Sequence, residues 1–102
     1  MTFKIIFSNL SIIDLENIIE YYYKLNQETA KKYYIKINEK IKSLKDFPEI
    51  GRIVPEFQDD FYDKYRELIY ENYRIIYKIV VNEIYIVRII DVRRLLDSEM
   101  VK

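Results

Sequence analysis

Three arginines in the last third of the chain, Arg74, Arg93 and Arg94, should gather around one acid, Asp91, once the strands that carry them are paired. Planar guanidinium groups hold phosphate or carboxylate in a bidentate manner, so such a cluster suits anion binding. The same residues also fit a plainer arrangement, a cross-strand pair of Arg74 with Asp91 beside two solvated arginines, because charge pairs across strands are ordinary sheet stabilisers. Other chemistry has few candidates. The sequence holds no His and no Cys, which removes the usual proton shuttle near neutral pH, thiolate nucleophiles, disulfides and sulfur-ligated zinc. Its single glycine, Gly51, cannot form a glycine-rich phosphate loop, and nucleotide-cofactor enzymes built on one are excluded. Neither cofactor nor metal is expected.

The elements that would carry these residues follow from patterning. At 102 residues, half of them hydrophobic and a third charged, the chain fits one folded domain spanning residues 1–102. Residues Thr2 to Phe7 read as an edge or second strand. Ser11 with Asp14 three residues on resembles a helix-starting box, and Ile12, Leu15, Ile19 and Tyr22 recur at helical spacing, which predicts a helix from Ser11 to Leu25. After a corner at Asn26, Gln27 and Glu28, the residues Ala30, Tyr34, Ile37, Ile41 and Leu44 mark one face of a second helix, ending near Phe47 before Pro48. So short a connection makes the helices an antiparallel hairpin. Tyr65 to Tyr70, Tyr73 to Val81 and Ile84 to Asp91 are rich in Ile, Val and Tyr and form a meander, with Asn82 and Glu83 as its second turn. Arg93 to Lys102 is a charged tail or short last helix. The fold class is α+β, β-α-α-β-β-β, a helical hairpin packed on a mostly antiparallel four-stranded sheet.

A turn at Asn82 and Glu83 pairs Val81 with Ile84, Tyr77 with Arg88 and Arg74 with Asp91. Ile75, Tyr77 and Ile79 then face the helices, while Arg74, Ile76 and Lys78 face the open side. Arg88 falls beside Tyr77 on the helix side, to pair internally. Net charge is zero but unevenly spread: seven Lys lie between Lys24 and Lys45, and Asp46, Glu49, Glu56, Asp59, Asp60 and Asp63 surround Arg52. The Lys run reads as a solvated helix face. Tyr21, Tyr22 and Tyr23 cannot all be buried on one helix, and an exposed aromatic beside apolar surface marks a protein interface. No uninterrupted apolar run approaches the roughly 20 residues of a membrane span, and Met1 to Leu10 lacks the features of a signal peptide, so a cytoplasmic address without membrane contact is expected.

The segments Phe47-Pro48-Glu49-Ile50-Gly51-Arg52-Ile53-Val54-Pro55, Arg66-Glu67-Leu68, Tyr73 through Ile79, and Ile84 through Arg88 to Arg93-Arg94 together resemble the RelE/ParE toxin superfamily. The resemblance implies a type II toxin of the plasmid-stabilisation kind, wrapped by the C-terminal segment of a cognate antitoxin, with no DNA binding of its own apart from that antitoxin. Tyr21, Tyr22 and Tyr23 are the expected antitoxin interface; Gly51, Arg66, Tyr77 and Arg88 are read as structural. Two activities occur in the superfamily. For ribosome-dependent mRNA endoribonucleases similar to RelE, Arg74 and Arg94 match the phosphate-binding arginines and would be catalytic. The two lysines of that set fall on Tyr65 and Glu67 and the terminal aromatic near Met100, so the expected proton-transfer groups are missing. Asp91 and Val92 also stand where many relatives have His and Gly. These departures point to the ParE-like branch, whose activity is inhibition of DNA gyrase by binding, with Arg74, Arg93 and Arg94 as target-binding or phosphate-binding residues. A ribosome-dependent nuclease acting on mRNA, and a degenerate toxin kept only to bind its antitoxin, are the alternatives.

Overall fold

A computed structural model describes residues 3–57 and 64–101. Asp59, Asp60 and Asp63 of the acidic stretch, Thr2 and Lys102 lie outside the described residues. The chain forms β1 (Lys4–Phe7), α1 (Asn9–Leu25), α2 (Gln27–Ser43), β2 (Arg52–Ile53), β3 (Tyr65–Tyr70), β4 (Tyr73–Val80) and β5 (Glu83–Asp91), with 3-10 turns at Pro55–Phe57 and Ser98–Val101. The expected order holds, with a fifth, two-residue strand added. The sheet runs β1-β5-β4-β3-β2; β1 lies parallel to β5, and every other pair is antiparallel.

α1 starts earlier than the sequence suggests. Ser8, not Ser11, is the cap: its Oγ accepts from the Ser11 amide at 3.0 Å and donates to the Val87 carbonyl at 2.8 Å, fastening the helix start to β5. Ser11 is fully buried, its hydroxyl returned to the Ser8 carbonyl. The corner shrinks to Asn26, which ends α1 by donating its amide to the Tyr22 carbonyl and starts α2 by accepting from the Thr29 amide. α2 stops at Ser43, short of Phe47, because its last turns tighten: Leu44 and Lys45 donate three residues back, to Ile41 and Lys42. Its buried face is Ala30, Ile37, Ile41 and Leu44, but Tyr34 is exposed, and the neighbouring Tyr33 turns inward to stack on Tyr22. Lysines 31, 32, 36, 40 and 42 form the solvated face.

The hairpin covers one side of the sheet, where Ile18, Ile37, Ile41 and Leu44 meet Ile75, Tyr77, Ile84, Ile86 and Ile89. The other side is not open as expected. Val54, Phe57, Leu96 and Val101, from the loop after β2 and from the tail, cover Tyr65, Ile76, Val87 and Ile90 and make a second core. Alternation along β4 feeds both layers, which is why that strand is almost continuously apolar.

Strand register differs from the simple hairpin. The turn is Val81 and Asn82, with Val80 opposite Glu83 and Val81 at a positive φ of 58°. That register puts Tyr77 opposite Ile86; a bulge between Ile76 and Tyr77 then shifts the pairing, so Ile76 faces Arg88, Arg74 faces Ile90, and Tyr73 faces Asp91. Arg88 is therefore not beside Tyr77, and Arg74 is not opposite Asp91. The physical gain is clear: the bulge places Ile89 in the helix-side core, where an unshifted register would have forced the charge of Arg88.

Candidate functional site

Arg74 alternates onto the tail side of β4, and Glu67 on β3 reaches the same layer. Their meeting is an ion pair, Arg74 Nε donating to Glu67 Oε1 at 2.7 Å. Glu56, on the turn Pro55–Phe57, closes on the other end of the guanidinium, at 2.7 Å from Nη1 and 2.6 Å from Nη2. Nη1 also donates to the Arg94 carbonyl at 2.9 Å. Arg52, paired across β2 and β3 with Glu67, donates from Nε to its second carboxylate oxygen at 2.6 Å. The Leu96 amide donates to Glu56 Oε2 at 2.8 Å, tying the tail to the same group.

Two carboxylates and two guanidiniums thus neutralise one another, three of them deep in the protein: the side chains of Glu67, Arg74 and Glu56 are 0, 7 and 19% exposed. Arg74 pushes the Glu56 carboxyl down to about 2, chiefly through its hydrogen bonds and against the opposing effect of burial. The same bonds raise the Arg74 guanidinium above its ordinary value. Arg74 is thus committed to Glu56 and Glu67 and not to Asp91, contrary to the register-based expectation. Asp91 is taken by Arg93, whose Nε and Nη2 lie 2.9 and 3.0 Å from its oxygens and whose contact lowers the carboxyl to about 2.

Arg74, Arg93 and Arg94 therefore do not converge on one ligand. Arg94 points its carbonyl inward, while its guanidinium has no ion pair or hydrogen bond among the described residues. With Arg52 it borders a hollow of about 410 Å³ that is also lined by Pro55, Glu56, Ile69, Arg74, Val92 and Leu95. Tyr65 and Glu67, where nuclease relatives would carry lysines, are both buried, and Met100 packs against the second core. Among the described residues no cluster of three or more Asp or Glu could hold a metal.

The residues read as structural each brace a segment. The Tyr77 hydroxyl accepts from the Gly51 amide at 2.9 Å and donates to the Pro48 carbonyl at 2.8 Å. Arg66 Nη1 donates to the Gly51 carbonyl at 2.7 Å. A Cβ on Gly51 would sit 2.6 Å from the Tyr77 hydroxyl and 2.7 Å from the Glu67 carbonyl oxygen, so close approach of backbone and ring is what requires glycine there. Arg88 reaches Asp14 of α1 with a bidentate pair at 2.8 and 3.0 Å, and Asp14 also accepts from the Ile89 amide.

On the helical side the three tyrosines separate. Tyr22 turns in, stacked on Tyr33 with ring centroids 4.0 Å apart and its hydroxyl 3.3 Å from that of Tyr73. Tyr21 and Tyr23 remain well exposed. Tyr23 forms part of an apolar groove of about 580 Å³ with Ile12, Leu15, Ile19 and Tyr34.

Sequence reasoning missed Glu56 and Glu67 as partners of Arg74. Glu67 did leave a signal, since it shares the inward parity of Tyr65 on β3 and a carboxylate there demands a cation. Glu56, in a loop, left none. No helix among the described residues is long and apolar enough to cross a membrane.

A leading strand, a helical hairpin and a closing meander, with Arg74 buried beneath the tail, define a ParE-like toxin of the RelE/ParE superfamily. Residues 5–96 match the family model for the ParE toxin of the type II toxin-antitoxin system parDE, and the chain belongs to that family. A solved structure titled as a chromosomal ParDE toxin-antitoxin system from P. aeruginosa is 24% identical and covers 90% of this chain and 98% of its own, with a TM-score of 0.73, a likeness of fold. No curated protein matches the sequence.

Proposed function

We propose that this toxin stops growth by binding a protein, with DNA gyrase as the target suggested by the ParE-like resemblance, and that a cognate antitoxin neutralises it in the cytoplasm. The observation that carries the reading is the state of Arg74. Four N–H···O bonds hold its guanidinium against Glu67, Glu56 and the Arg94 carbonyl, so a phosphate would have to displace two carboxylates to reach it. Endonuclease chemistry needs a cation free to meet charge developing on the phosphate and a group to move the proton. Arg74 does not offer the first, which leaves Arg94 alone of the two arginines; for the second, Tyr65 is buried, Glu67 is buried and held by Arg52 and Arg74, and Met100 carries no transferable proton.

For the antitoxin, the groove along α1 and α2, which includes the exposed Tyr23, suits the apolar stripe of a helix, while the exposed Tyr21 lies on another face of α1. Co-expression with the product of the adjacent reading frame, followed by size exclusion, tests this: a single co-eluting complex is expected, and a toxin that never co-purifies with that product would defeat it. For the target, purified toxin is added to plasmid supercoiling by gyrase and, separately, to mRNA on translating ribosomes. Inhibited supercoiling with intact mRNA is the expected pair of results. Site-specific mRNA cleavage without any effect on gyrase would overturn the binding mechanism in favour of the nuclease.

A further inference from the structure

We infer that the hollow between Arg52 and Arg94 is the surface that grips the target, and that its occupant is an acidic protein segment carrying apolar side chains. The inference rests on the reading that the toxin acts by binding a protein, and it names the part of the molecule that does so. Leu95 is the centre of the argument. It is 82% exposed, yet both peptide groups beside it are anchored: the Arg94 carbonyl accepts from Arg74, and the Leu96 amide donates to Glu56. Leu96 itself is buried in the second core. A large aliphatic side chain is thus held out in water on a fixed backbone. Ile69 and Val92, 43 and 41% exposed, carry the apolar surface across the hollow.

Cations flank this patch. Arg52 has its Nε fixed on Glu67 while its side chain stays 65% exposed, which orients the remaining N–H groups. The Arg94 guanidinium makes no ion pair or hydrogen bond among the described residues; it acts on Asp91 only through space, and that carboxylate is held by Arg93. Arginine is enriched among the residues that carry binding energy, and ordering the surface in advance lowers the entropy lost on association. Complementarity then assigns carboxylates to the partner. Nucleic acid fits less well, because Ile69, Val92 and Leu95 give bases no ring to stack on. The surface also lies on the opposite side of the sheet from the hairpin groove, so target and antitoxin contacts can be separated by mutation.

Leu95→Ala and Arg94→Glu are assayed for inhibition of gyrase supercoiling beside the unmodified toxin and Lys31→Glu, an equal charge reversal on the exposed face of α2. Each of the two test variants should need at least about 10-fold more toxin for half-inhibition. Lys31→Glu should behave as the unmodified toxin, and circular dichroism and antitoxin co-purification should be unchanged for both test variants. Full inhibition by both would overturn the inference and leave the binding mechanism standing, as would retained inhibition with lost antitoxin capture, which would assign the surface to the antitoxin. If the unmodified toxin leaves gyrase untouched and cleaves ribosome-bound mRNA, the binding mechanism fails; loss of that cleavage in Arg94→Glu but not in Leu95→Ala would make the occupant RNA.

Discussion

Arg74→Ala should damage this protein far more than loss of an ordinary sheet ion pair, because the carboxylates it neutralises stay behind. Among the described residues Glu67, with a fully buried side chain, would keep only Arg52, and Glu56 would lose both guanidinium bonds. Removing one partner of a buried pair costs about 3 to 5 kcal/mol, against about 1 kcal/mol for an exposed cross-strand pair. Acid provides a second measurement. The Glu56 carboxyl lies at about 2 instead of 4.5, so its contribution is fully present above the unfolded value and is lost as pH falls from there through the folded one. That displacement corresponds to about 3 kcal/mol. Urea unfolding followed by circular dichroism, near pH 7 and again near pH 3, measures both effects. Arg74→Ala should be less stable at neutral pH and should lose less on acidification than the unmodified protein. A neutral-pH difference below about 1 kcal/mol, with unchanged acid sensitivity, would refute the argument that this network holds the tail to the sheet.

Ile41, 2% exposed under the sheet, should cost about 2 to 5 kcal/mol when cut to alanine, and urea unfolding showing a loss under about half a kcal/mol would place it at the surface. Tyr77→Phe strips the partner from the Gly51 amide and the Pro48 carbonyl, and thermal or urea unfolding should register about 1 to 3 kcal/mol. Gly51→Ala should lose more than Tyr77→Phe in the same assay, since the Glu67 backbone oxygen at 2.7 Å cannot step aside as a side chain would.

The elements were legible because their signals are local. Helical spacing located both helices, and the β-branched runs located the meander. Errors arose where distant segments decide. Ser8 outcompetes Ser11 as the α1 cap because its hydroxyl can also reach Val87 on β5, a contact invisible in a window of a few residues. Tyr33 and Tyr34 are equally plausible by spacing, and only the position of Tyr22 and Tyr73 chooses Tyr33 for the interior. The bulge between Ile76 and Tyr77 leaves no mark in its own residues, yet it changes the partners of Tyr73 through Ile76. The site suffered most. Arg74 and Arg94 were singled out but Arg52 was not and Arg93 lies apart, and the pairing of Arg74 depended on Glu56 and on a tail whose Leu96 and Val101 turned out to be core.

Strand β5 is where the two ends of the sequence meet. β1 runs parallel to it, Ser8 bonds to Val87 across 79 positions, and Asp14 reaches Arg88 and Ile89 across 74 and 75. A chain emerging from the ribosome therefore displays β1 and the apolar stripe of the hairpin long before their mate exists. Contacts so far apart in sequence form late, and they keep hydrophobic surface in water until they do. A chain broken off before Glu83 would lack the strand against which β1, β4 and the start of α1 are all fastened.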